Sequence, residues 1–120
     1  MIEGVFQDNA PHITLTLTGE SDSTEVDFVI DTGYTGFLSL PKTTLRSLGA
    51  IEEGVSYLVL ADGTYRRCLL YTVSVEWGES EREVQVAALD DDPLLGIGLM
   101  QEFHLHIEVT EGGSVVLEAL

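Results

Sequence analysis

One stretch of this chain places a carboxylate where it could make water reactive. Val29-Ile30 lead as an apolar run into Asp31, and Thr32-Gly33 turn the chain immediately afterwards. A carboxyl group delivered to the edge of a core loses hydration, which favours its proton-bound form and suits it to proton transfer. Gly33 has no side chain, so water or a substrate can come close to the backbone there. Thr32 adds a hydroxyl able to lock the loop by hydrogen bonding. The same residues have a plainer use, because an aspartate at a strand end often caps its own turn.

The other reactive side chains form weaker patterns. Cys68 is the only cysteine, so an internal disulfide and a cysteine-based zinc site are both excluded, and nothing nearby marks it as a nucleophile. His104 and His106 stand two apart with Glu102 and Glu108 in phase, which on a strand would gather all four on one face. Phe103, Leu105, Ile107 and Val109 alternate with them, so the solvent face of an edge strand is the better reading. Asp90-Asp91-Asp92 lacks the ligand spacing of a calcium loop and reads as a solvated turn. Trp77 and Tyr57 read as core or interface residues. No phosphate loop, Gly-x-Ser-x-Gly motif or basic patch is present, and no metal or other cofactor is expected.

The elements that would position Asp31 follow from period-two alternation. Ile13, Leu15 and Leu17 share one face of a strand over His12 to Thr18, and Glu25 to Asp31 returns after the polar turn Gly19 to Ser23. A short strand, Phe37 to Leu40, ends at Pro41. Pro41 to Leu48 reads as a helix, with proline in its first turn and Gly49 as its stop. Tyr57 to Leu60 and Tyr65 to Val75 flank Ala61-Asp62-Gly63-Thr64, a strong hairpin signal. Glu83 to Leu89 follows the turn at Trp77-Gly78-Glu79. Leu94 to Phe103 reads as a strand end running into a second short helix, and Leu105 to Val109 and Val115 to Leu120 close the chain as strands. The expectation is one mainly β domain over 1–120, closed or barrel-like, with one or two short helices.

Composition narrows the partners. The 120 residues carry 21 Asp and Glu against 5 Lys and Arg, a net charge of −16. Such a surface repels nucleic acid and anionic membranes and favours neutral or basic partners. The start has no basic segment followed by an apolar run, and no stretch is long and apolar enough to span a bilayer, so a cytoplasmic protein is expected.

Asp31-Thr32-Gly33-Tyr34-Thr35, followed by Leu38, Leu40 and Pro41, resembles the active-site strand and loop of the retropepsin-like aspartic proteases. Leu94-Leu95-Gly96-Ile97-Gly98 is similar to that family's paired-apolar-plus-glycine motif, and the hairpin of Val59 to Tyr65 lies where the family carries its flap. The resemblance implies a closed β-barrel of the retropepsin-like type and an aspartic endopeptidase acting on polypeptide. It implies a homodimer pairing two Asp31 side chains, with Thr32 and Gly33 completing each catalytic loop. Tyr34 and Thr35, with Ala61, Asp62, Gly63 and Thr64 of the flap, would contact substrate, and Leu94, Leu95 and Gly96 would brace the loop. Two departures stand out: Ile97 and Gly98 replace the polar residue frequent after the second motif, and Asp62 puts a charge at the flap tip. The alternative is the same fold used as a non-catalytic peptide-binding or assembly module.

Overall fold

The computed structural model describes residues 1–60 and 62–120. Its strands are β1 (Ile2–Gln7), β2 (Ala10–Thr18), β3 (Ser23–Asp31), β4 (Leu38–Leu40), β5 (Ile51–Val59), β6 (Tyr65–Trp77), β7 (Ser80–Ala88), β8 (Leu94–Gly96), β9 (Phe103–Ile107) and β10 (Ser114–Ala119). One helix, α1 (Lys42–Leu48), follows β4. All ten strands join in the order β5-β6-β7-β4-β8-β3-β2-β1-β10-β9, and a further pairing of β6 with β2 closes the six strands from β6 to β2 into a barrel.

The β2–β3 hairpin forms as the alternation predicts. Ile13, Leu15 and Leu17 are buried, Thr14 is exposed, and His12 to Thr18 pair antiparallel with Val29 to Ser23. Phe28 and Ile30 turn inward from β3, so the strand that delivers Asp31 is anchored on the core side. α1 begins after Pro41 and ends at Gly49, whose φ of 71° is a left-handed stop. Its last carbonyls are taken by the β2–β3 turn: Ser21 N–H donates to Leu48 O at 3.0 Å and Glu20 N–H to Gly49 O at 3.2 Å. The β6–β7 hairpin turns at Gly78, with φ 65°, and pairs Trp77 with Ser80.

The expected second helix does not form. Gly96 N–H donates to Phe37 O at 2.8 Å, Ile97 N–H to Tyr34 O at 2.8 Å and Gly98 N–H to Gly36 O at 3.0 Å. These donors tie the segment to the Tyr34–Phe37 loop, and the next two bond three residues back rather than the four of an α-helix. Successive turns follow, with Leu99 N–H on Gly96 O and Met100 N–H on Ile97 O, until Glu102 at φ 70° redirects the chain into β9. β1 is a strand beyond those expected, and β5 begins six residues before Tyr57, at Ile51. On β9 the apolar residues are half-buried while His104 and His106 are exposed, at the end of the sheet.

Candidate active site

β8 lies between β3 and β4, parallel to the first and antiparallel to the second. Ile30 pairs with Leu95 and Asp31 with Gly96; Leu38 and Ser39 pair with Leu95 and Leu94 from the other side. The loop from Thr32 to Phe37 therefore leaves one neighbour of β8 and returns to the other, pinned at both ends. Leu95 and Leu38 are fully buried, and the buried Ser39 Oγ accepts Leu94 N–H at 3.2 Å.

Gly96 is required by closeness. A Cβ there would fall 2.2 Å from Gly36 O and 2.7 Å from the Tyr34 ring. Tyr34 is the brace of the loop. Its N–H donates to Asp31 O at 3.1 Å, its carbonyl accepts Ile97 N–H, and its hydroxyl donates to Leu38 O at 3.2 Å. Burial, and secondarily the nearby Cys68, push its phenol up to about 12.

Asp31 is half-buried. Gly33 N–H donates to its Oδ1 at 2.9 Å, while among the described residues no donor meets its other oxygen. Thr32, expected to lock the loop, is exposed, and its hydroxyl has no hydrogen-bond partner among the described residues. Within one chain the loop is held by Gly33 and Tyr34 instead.

Asp31 opens into a cleft of about 790 Å³ also lined by Gly33, Tyr34 and Thr35, with Tyr57, Val59 and Leu60 across it. The end of β5 thus contributes to the same cleft. In the β5–β6 turn, Asp62 Oδ1 accepts Thr64 N–H at 3.0 Å and Thr64 Oγ1–H at 2.6 Å, and those bonds hold its carboxyl below the usual range. Gly63 takes φ 85° there. Ala61 lies outside the described residues.

Leu94 lines the cleft, whereas Leu95 and Gly96 lie buried behind it. Tyr57, Leu89 and Asp91 also face it, and reasoning from sequence passed over all three as cleft residues. Tyr57 carried a signal: it follows the alternation of a strand that leads into the flap. Asp91 is paired with Arg66 Nη1 at 3.7 Å across the rim, an exposed contact of little energetic weight. Among the described residues no cluster of three or more His, Cys, Asp and Glu could hold a metal ion. No helix among them is long and apolar enough to cross a membrane.

No protein-family model matches the sequence, and no curated protein does. Among solved structures, a retropepsin-like aspartic protease from Rickettsia conorii is similar over 99% of this chain and 91% of its own. The TM-score is 0.54 and the sequence identity 19%, a likeness that establishes the retropepsin-like fold.

Proposed function

We propose that this protein is an aspartic endopeptidase active as a homodimer, in which two copies of Asp31 meet on the two-fold axis. The observation that carries this reading is the setting of Asp31. It ends a core-anchored strand, shows one unengaged oxygen, and faces a cleft walled by a hairpin end. Each chain supplies one such loop, so a carboxylate pair requires a symmetric partner.

Two carboxyl groups about 3 Å apart repel each other when both are charged, so the pair shares one proton. The ionised member takes a proton from a bound water, and the protonated member polarises the scissile carbonyl. Asp62, Gly63 and Thr64 of the hairpin turn close over the peptide and limit water access. The acidic surface and Asp62 give a preference for basic or neutral peptides in a cytoplasmic setting.

One observation favours the non-catalytic module as the second reading. Asp31 Oδ1 already accepts Gly33 N–H, which is the bond of an aspartate that merely caps its turn. Cleavage of a peptide library by wild type and Asp31→Asn across pH, with a pepstatin-type inhibitor, decides between them. The expected result is inhibitable cleavage by wild type, reduced by roughly a thousandfold or more in the variant. Equal activity in both would remove the mechanism.

A further inference from the structure

The cleft that holds Asp31 is open and largely apolar, with Leu58, Val59, Leu60, Leu89 and Leu94 on its lining. Among the described residues no Lys or Arg lines it, and its charged groups are two carboxylates, Asp31 and Asp91. Asp91 stands three residues before Leu94, in the loop that feeds β8, while Gly96 at the far end of β8 pairs with Asp31. The chain therefore runs from one carboxylate to the partner of the other, with the apolar Leu94 in between.

Asp91 already attracts a cation, loosely. Arg66 Nη1 on β6 lies 3.7 Å from its Oδ2, beyond hydrogen-bond range, and both side chains are exposed. Arg66 is not itself a cleft residue, so it reaches Asp91 from outside. An exposed pair of this geometry is weak, and a cation arriving with a peptide can displace it. Among the described residues no donor bonds to the Asp91 carboxylate, whereas Asp62 Oδ1 already accepts two bonds from Thr64. Of the acidic side chains around Asp31, Asp91 is the one both inside the cleft and free to accept.

We propose that Asp91 is a specificity-determining residue: it receives the charged end of a lysine or arginine side chain of the substrate near the cleaved bond. The inference rests on the peptidase reading and names the substrate class for it. Both side chains suit the two characters of this cleft, since their aliphatic stems lie along apolar surface such as Leu89 and Leu94 while the head stays in water and meets the carboxylate. Arginine gains more than lysine, because a carboxylate with no bonded donor accepts two of its N–H groups side by side. A glutamate in the same place meets a like charge that no cleft residue offsets.

The test uses the full chain and peptides that carry arginine, lysine, glutamine or glutamate in turn at each position near the cleaved bond. Cleavage is read as ratios of kcat/KM, which do not depend on how much dimer is present, and binding of the matching non-cleavable hydroxyethylene peptides is read by calorimetry. At one position wild type prefers arginine to glutamine by about fivefold at low salt, the scale of an exposed ion pair, and the preference shrinks as salt is added. Asp91→Asn removes that preference, and Arg66→Gln, which takes away the competing cation, enlarges it. Asp90→Asn removes the same charge from the same loop outside the cleft and leaves the preference intact. Equal losses in Asp90→Asn and Asp91→Asn would trace the preference to the overall charge of −16 and overturn the role of Asp91. A wild type that cleaves with no preference for arginine overturns that role and leaves the peptidase reading standing. A preference in binding that depends on Asp91, with no cleavage by any form, upholds the role and removes the peptidase reading. Peptides neither bound nor cleaved by wild type would sink both.

Discussion

Gly33 and Gly96 flank the same carboxylate yet serve it differently, and the difference can be measured. At Gly33 an added methyl group would meet only the Asp31 Oδ1 atom, at 3.2 Å, a neighbour able to shift. At Gly96 it would meet the main-chain oxygen of Gly36 at 2.2 Å, and β8 cannot retreat from that loop without disturbing its pairing with Asp31. Gly96→Ala is therefore expected to cost about 3 kcal/mol or more in a denaturant titration, and Gly33→Ala far less. Equal costs would mean that β8 does not press on the loop as described. Tyr34 gives a second handle. Its phenol is raised from 10.0 to about 12 in the fold, so the neutral form is the one the fold favours. That contribution is whole below pH 10 and is lost as pH rises through about 12. Tyr34→Phe should delete the most alkaline part of the phenolate absorbance titration and remove the bond to Leu38 O, at about 1 kcal/mol. An unaltered titration would contradict the buried placement of the ring.

At the level of elements, one side chain adds to the backbone bonds that hold the turn between β5 and β6. Asp62 accepts both Thr64 bonds more strongly as a carboxylate than as an acid, and these bonds lower its pKa from 3.8. A depressed acid stabilises the turn above its unfolded value and loses that contribution as pH falls through the folded one. The Thr64 amide signal in NMR should move with a midpoint below pH 3.8, and Asp62→Asn should abolish the movement. A midpoint above that value would mean the bonds are absent in solution. This hairpin was legible in the sequence because Asp-Gly between apolar runs is a local signal, as were β2, β3 and the stop of α1 at Gly49. β8 was legible as a brace through its glycines, but the chain after it read as helix. Apolar residues with glycines carry no mark of whether their N–H groups bond four residues back or to a loop sixty residues away in sequence, and here they bond to Tyr34, Gly36 and Phe37. β1 escaped for a related reason. Gly4 interrupts its alternation, and only the structure reveals the backbone oxygen of His12 lying 1.9 Å from where its Cβ would be.

For the whole molecule, barrel closure rests on a short contact, Leu17 with Val75 and Thr18 with Ser74, which no local pattern announces. The proposed assembly faces a different obstacle, which the composition does announce. Each chain carries −16, so bringing two Asp31 loops together sets two strongly acidic bodies side by side. Their repulsion acts over the screening length, which is about 10 Å at 0.1 M salt and about 3 Å at 1 M. Association should therefore strengthen as salt is added, opposite to a dimer held by complementary charges. Sedimentation across protein concentration and ionic strength should show a monomer–dimer equilibrium moving toward dimer with salt. Peptidase activity should rise in parallel and depend on the square of protein concentration where monomer predominates. Mixing wild type with excess Asp31→Asn should then draw wild-type chains into mixed pairs with a single ionisable loop carboxylate, suppressing activity beyond simple dilution. Activity that scales linearly with concentration, ignores salt and is untouched by the variant would place the chemistry in one chain and end the two-fold reading.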